Sequence, residues 1–260
     1  MSQTLHTVKA FSSYFDDLLN TKNIHDVSNN GLQIEASDDV RQLGFAVDAR
    51  LETLEKAAAL GIDLLFVHHG LSWGEGVKYF TGHLGEMLAL AFRKGVSLYA
   101  CHLPLDLHPE LGNNAGLAKL FDLENVRAEF PWHGEVIGCA GDFKQEMSLA
   151  DVAATLAASL SISASDVHVH PGEKASCRHI GFVSGGGGGC VEQCLEAGID
   201  TLVTGELIHH QGILAKECGI SVIVAGHYAT ETVGPKAVMR RVMADFPDIP
   251  CSFINAPTGL

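Results

Sequence analysis

Six side chains of this sequence have the types and spacings of a metal-ligand set. His68 and His69 stand side by side at the end of the apolar run DLLFVHHGLSW, CHLPLD provides His102-x-x-x-Asp106, and GHYATE provides His227-x-x-x-Glu231. A histidine and a carboxylate at that spacing share one face of a helical turn and can reach one ion together. Pro104 makes the turn less regular in the first copy. Imidazole mixed with carboxylate selects Zn, Fe, Mn, Co or Ni over Ca or Mg, whose sites are built from oxygen. A single tetrahedral ion takes fewer donors than are present here, so the set suits two divalent ions joined by a bridging carboxylate or water, a common hydrolytic arrangement.

The elements that must position these residues are legible from an internal repeat. RQLGFAVDARLETLEKAAALGIDLL, beginning at Arg41, aligns without a gap with RHIGFVSGGGGGCVEQCLEAGIDTL, beginning at Arg178, and the two share Arg, Gly-Phe, Glu, Gly-Ile-Asp and Leu. Each copy reads as strand, loop, helix, a glycine C-cap (Gly61, Gly198) and a second strand. KGVSLYACH then resembles ECGISVIVAGH, each after a helix-like segment. The fold class is therefore α/β, with internally duplicated strand–helix–strand units in two lobes and the metal site between them. Residues 1–128 make the first repeat, with His68, His69 and Asp106. Residues 129–260 make the second, with His227 and Glu231 and an inserted strand–helix–strand segment over about 130–175. Sites in open α/β sheets lie at the carboxyl ends of strands. His68, His69, their counterparts Gly205 and Glu206, and the pair His102 and His227 all fall there. The strand before the histidine pair is expected to end at Val67, so that both imidazoles lie past the alternation of strand faces.

Other features carry less. Gly185–Gly189 join a strand to a helix, and Gly185, Gly186 and Gly187 form a weak phosphate-loop candidate, weighed against a tight turn that permits close packing. The run lacks the lysine of a P-loop and does not fit G-x-G-x-x-G. His83, His108 and His179 read as hydrogen-bonded structural residues, His168 and His170 as one face of a strand, and His209 and His210 as helical. Neither a Gly-x-Ser-x-Gly elbow nor a His-Glu-x-x-His helix occurs.

A chain of 260 residues, 47% hydrophobic and 18% charged, buries a substantial core without staples. Its net charge of −14, with 17 Lys and Arg, argues against a broad nucleic-acid face. The beginning, MSQTLHTVKAFSSYFDDLL, lacks a basic then apolar leader pattern, and no stretch reaches the roughly 18 apolar residues of a membrane span, so the expectation is a cytoplasmic protein. The 7 cysteines form no C-x-x-C pair and read as reduced, mostly core residues.

FVHHGLSW, CHLPLDLHPELGNNAGLA, TGELIHHQG and AGHYATETVGPKAV, with NNGLQIE near the start, resemble the NIF-three-like dinuclear metal family, also called GTP cyclohydrolase 1 type 2 homologs. The likeness covers nearly the whole chain. It implies a duplicated α/β subunit, a toroidal homohexamer and a two-metal site facing the central cavity, with His68, His69, Asp106, His227 and Glu231 as ligands. In that pattern His102 supports a ligand or a metal-bound water, and Tyr228 stands where relatives often carry another histidine.

The first functional expectation is a metal-dependent hydrolase acting on a nucleotide-like or phosphorylated small molecule, with Glu206 or His102 as proton acceptor. The nucleotide itself comes from the resemblance. The second is a non-catalytic metal-binding ring that acts as a regulator or through partner proteins.

Overall fold

The computed structural model of the chain describes residues 6–259; residues 1–5, on which the leader reading partly falls, and residue 260 lie outside the described residues. In chain order the elements are α1 (Val8–Leu19), β1 (Gly31–Ile34), β2 (Leu43–Asp48), α2 (Leu51–Leu60), β3 (Leu64–His69), α3 (Gly82–Lys94), β4 (Ser97–Ala100), α4 (Leu103–Asp106), α5 (Asn113–Ala118), β5 (Leu123–Trp132), β6 (Glu135–Ser148), α6 (Leu149–Leu160), β7 (His168–His170), β8 (Ser176–Val183), α7 (Val191–Ala197), β9 (Thr201–Thr204), α8 (His209–Glu217), β10 (Ser221–Val224), α9 (His227–Thr230), α10 (Val233–Asp245) and β11 (Cys251–Phe253). They divide into two compact units, one of residues up to Leu105 together with Pro235–Ala256, the other chiefly Asp106–Gly234. The repeat boundary expected at 128/129 therefore falls inside the second unit. The C-terminal segment goes to the first because β11 pairs in parallel with β2, Leu43 with Cys251 and Phe45 with Phe253.

The first unit has a five-stranded sheet in the order β1-β4-β3-β2-β11, parallel except for β1. Its central strand β3 is apolar from Leu64 to Val67 and buried throughout that run, as a parallel strand covered on both faces requires. Ile34, Leu54, Leu65, Leu98 and Met87 belong to one core cluster. α1 adds Phe11 and Phe15, the latter 5.0 Å from both Phe66 and Tyr99. Thr7 caps α1 by accepting a hydrogen bond from the Ala10 amide.

The second unit has a six-stranded sheet in the order β5-β6-β8-β9-β10-β7. Its β8-β9-β10 portion is parallel and repeats β2-β3-β4, and the duplication extends further than the sequence indicates. β7 lies antiparallel on β10 as β1 lies antiparallel on β4. The register agrees residue for residue: Gly44 faces Leu65, and its counterpart Gly181 faces Leu202.

Chemistry shared between the copies explains why these letters recur. Asp63 accepts the Arg41 and Gln42 amides at 2.8 and 3.1 Å, and Asp200 accepts the Arg178 and His179 amides at 3.0 and 3.2 Å. In each case the aspartate of Gly-Ile-Asp fixes the entry to the preceding strand. Gly61 and Gly198 end α2 and α7 in the left-handed region at φ of 73° and 69°, where only glycine is free of strain. Among the described residues no helix is long and apolar enough to cross a membrane.

The inserted segment contains the expected helix, α6, capped by Ser148 through the Asp151 amide. Its first strand is β6, which runs from Glu135 to Ser148 and pairs with β5, a strand the sequence did not signal. One further expectation is corrected. β3 does not end at Val67; it continues through both histidines, with His69 in register opposite Asp48.

Candidate metal centre

In the first unit the two adjacent imidazoles are reconciled by their neighbours rather than by a break in the strand. The buried His68 has Nδ1 3.0 Å from the Cys101 carbonyl oxygen, just past β4 on one side. His69 has Nδ1 2.8 Å from Asp48 Oδ1, at the end of β2 on the other. Each ring is fastened to a different adjacent strand, and their centroids lie 4.6 Å apart. A carbonyl or carboxylate oxygen accepts only, so Nδ1 carries the hydrogen and the neutral ring keeps its lone pair at Nε2.

His102 completes this cluster. Its Nδ1 donates to Asp26 Oδ1 at 3.0 Å, and its ring lies 5.0 Å from that of His68 and 5.6 Å from that of His69. One nitrogen from each of the three histidines lies within 4.8 Å of the others, a group that could hold a metal ion. Asp26 is the residue that sequence reasoning missed. Its carboxylate also accepts the Ser28 amide at 3.0 Å, the Asn30 side-chain amide at 2.9 Å and the Leu103 amide at 2.8 Å. Burial pushes its pKa up, but the bonds from His102, Asn30 and Ser28 outweigh that and bring it down to about 2. Asn30 Oδ1 accepts the His102 amide at 2.8 Å, so NNGLQIE was the available signal. The Trp73 ring lies edge-on to His102 at 5.0 Å.

In the second unit the expected one-turn geometry is present. His227 opens α9 and Glu231 ends it, with His227 Nε2 3.2 Å from Glu231 Oε1. His227 Nδ1 is 2.6 Å from Glu206 Oε1, which makes Glu206 a partner that orients the histidine. Glu231 is 3% exposed. Its hydrogen bond raises the His227 pKa to about 9; burial opposes this, and the charges of Glu231 and Glu206 add to it. The pair of carboxylates thus demands positive charge at this spot. Asp106, at the end of α4, is buried; its Oδ1 accepts from Asn113 Nδ2 at 2.8 Å and from the Ser184 hydroxyl at 3.3 Å.

Close approach requires glycine at Gly185, Gly187 and Gly188 of the run. A Cβ on Gly185, at φ +59°, would fall 2.1 Å from Glu231 Oε1 and 3.0 Å from His227 Nε2. One on Gly187 would meet Val183 Cβ at 2.5 Å, and one on Gly205 would meet His227 Cα at 2.6 Å. Gly186 has open space around it. The Gly185 amide donates to Thr230 Oγ1 at 3.1 Å, and its carbonyl accepts from the Gly205 and Glu206 amides, both at 2.9 Å. The bare backbone of Gly185 therefore lets the His227–Glu231 pair pack directly against it, where any side chain would collide with Glu231. Carboxylate surplus and imidazoles held through Nδ1 are what a histidine–carboxylate metal site requires.

Two of the other histidines take ordinary places. His108 Nδ1 accepts the Glu110 and Leu111 amides at 3.1 and 3.0 Å, and His179 Nδ1 bonds Asp142 at 2.7 Å on an exposed strand. All 7 cysteines are free. Burial pushes the Cys139 and Cys190 thiols up to about 12 and about 11, which makes them poor nucleophiles.

Fold and site together define a duplicated α/β protein with histidine–carboxylate groups suited to metal at its strand exits. The chain belongs to the Duf34/NIF3 (NGG1p interacting factor 3) family, whose model matches residues 6–258. It is 42% identical over 248 residues to a protein of Pyrococcus horikoshii that carries the name GTP cyclohydrolase 1 type 2 homolog, covering 95% of this chain and 97% of that one. A protein of the same name from Deinococcus radiodurans is 40% identical over 235 residues, covering 90% and 88%. Among solved structures, TTHA1606 from Thermus thermophilus superposes with a TM-score of 0.87 at 36% identity, covering 98% of this chain and all of that one.

Proposed function

We propose that the protein is a metal-dependent hydrolase that holds two divalent ions, of the Zn, Fe, Mn, Co or Ni group, on His68, His69, Asp106, His227 and Glu231. The observation that carries this reading is the uniform treatment of the histidines: His68, His69, His102 and His227 each have Nδ1 on an oxygen acceptor, which leaves Nε2 as the ring atom to bind a metal. The donor count supports two ions, since one tetrahedral ion leaves donors over. His227, charged while its two carboxylates lack another cation, gives up its Nε2 proton when a metal takes that place.

When bound, such a pair supplies Lewis acidity, lowering the pKa of water toward neutrality and stabilising charge that develops on the substrate. The chain's own groups then handle the proton. His102, oriented by Asp26, would accept it at Nε2; Glu206, with Oε1 engaged by His227, would accept it at Oε2. The substrate class is a nucleotide-like or phosphorylated small molecule, and opening of a purine nucleotide ring is the reaction that the name of the relatives points to. We place the protein in the cytoplasm as a toroidal homohexamer, a reading supported by the exposure of the large apolar side chains Tyr79, Phe80 and Phe92 of the first unit.

Elemental analysis of the purified protein, followed by a screen of nucleotides and phosphoesters with each metal restored, tests the reading. Turnover that requires metal is the expected result. Two equivalents of metal per chain with no turnover on any substrate would replace the enzyme by a non-catalytic metal-binding ring acting through partners. Retention of both equivalents in His68→Ala and Glu231→Ala would refute the ligand assignment itself.

A further inference from the structure

The second unit holds a cavity of about 420 Å³ that shares only Asp106 with the proposed metal ligands, a size within the usual range of small-molecule sites. α5 and its flanking turns form one side, and the β5–β6 hairpin forms the other. The wall is mostly apolar, with Phe121, Leu123, Val126 and Val136 among its residues. Val126 and Val136 are 56% and 40% exposed, so the wall presents apolar surface to solvent. Small residues line part of it. Gly138 must be glycine, because a Cβ there would fall 2.5 Å from the Phe182 carbonyl oxygen on the side of Phe130 and Val183; it lines the cavity with bare backbone, beside Ala115 and Ala128.

Charge distinguishes the cavity from the rest of the chain. The protein has 31 acidic residues to 17 Lys and Arg, yet this cavity is lined by Lys119 and Arg127 against one carboxylate, Asp106. Lys119 Nζ donates to the Glu110 carbonyl at 2.7 Å and Arg127 Nε to Glu129 at 3.2 Å, each bond using one donor of a group that has several. The neutral polar groups of the wall are committed to structure. Asn114 donates to the Ile137 carbonyl at 2.6 Å and accepts the Ser184 amide at 2.7 Å, and Cys139 donates to the Asn114 carbonyl at 3.3 Å. Recognition here rests on apolar contact and positive charge.

We propose that this cavity binds a planar aromatic molecule bearing a carboxylate or a phosphate. Its ring lies against the apolar wall of Phe121, Leu123, Val126 and Val136, and its anionic group lies at Lys119 and Arg127. The opposite edge faces Asp106 and, on the metal-centre reading, the reacting group; that orientation alone rests on the proposed function.

The test uses the full-length protein and 8-anilino-1-naphthalenesulfonate, a planar aromatic anion whose fluorescence reports binding. Metal-free protein should bind it saturably at one site per chain. Affinity should fall at least tenfold in Lys119→Glu with Arg127→Glu, and binding should vanish in Ala128→Trp, which fills the cavity from an exposed strand position, with circular dichroism unchanged in both. Val136→Asp supplies a second cavity variant if Ala128→Trp does not fold. Benzoate or phenyl phosphate should displace the dye, and which does so identifies the anionic group; displacement by inorganic phosphate alone would reduce the cavity to a simple anion site and overturn the proposal. Dye binding indifferent to all these variants, or appearing only when assembled copies separate into single chains, would also overturn it, the latter by making the cavity a contact between copies. Zinc loading should change dye affinity at least threefold. No effect of zinc, with the variants behaving as expected, would refute the orientation toward Asp106 while the cavity stands, and failure of metal loading with dye binding intact would count against the metal centre alone.

Discussion

Replacing Gly185 by alanine perturbs the His227–Glu231 pair without altering any ligand. The added Cβ lands on Glu231 Oε1 and the backbone sits at φ +59°, so metal affinity should fall at least tenfold in chelator competition while the circular dichroism spectrum persists. Asp26 offers a pH test. Its folded pKa of about 2 lies below the ordinary 3.8, so its bonds contribute stability, roughly 2 kcal/mol, that is complete above about pH 4 and lost as pH falls through about 2. Urea titrations at pH 5 and pH 2 should therefore show a gap between wild type and Asp26→Asn that narrows in acid; a constant gap would show that the carboxylate's charge is immaterial. The ligand candidates were legible in sequence because His-x-x-x-carboxylate is a local spacing. Asp26 was not, because it reaches His102 from 76 residues away, and Asp48 reaches His69 from 21. Only the fold brings such partners together.

At the level of elements, the two copies should respond alike to equivalent damage. A Cβ at Gly61 meets nothing within 4 Å, and the same is true at Gly198, so alanine at either site strains the backbone alone. Each variant should lose about 1 kcal/mol, read from the urea midpoint. Asp63→Ala and Asp200→Ala should each cost more, roughly 2 to 3 kcal/mol, because two strand-entry amides lose their acceptor. The duplicated strands and helices were readable because Gly-Ile-Asp, the C-cap glycines and the apolar runs are each imposed by local physics. β5 was not. Its sequence, LENVRAEFPW, mixes charges with a proline, Asn125 and Phe130 take positive φ, and most of its residues are exposed, so neither alternation nor an apolar run announces a strand. The histidine pair misled in the other direction. It suggested that β3 ends at Val67, whereas lateral bonds to Cys101 and Asp48 let the strand continue and still anchor both rings.

For the whole molecule, light scattering should give the mass of six chains of 27.7 kDa. Tyr79→Asp with Phe80→Asp should lower it toward smaller assemblies if those exposed aromatic residues form the contact. An unchanged mass in that variant would move the interface elsewhere, and a single-chain mass for the wild type would remove the ring. The division of the chain into units was the least legible feature, since nothing in CSFINAP marks a strand that must return across more than two hundred residues to β2. That return also sets an order of events during synthesis. The outer edge of β2 has no partner until Cys251–Phe253 has left the ribosome, whereas the second unit is nearly complete once Gly234 has emerged. A nascent or truncated chain lacking its last ten residues therefore carries an open parallel edge in one unit while the other is largely finished, the state in which pairing between chains competes with folding.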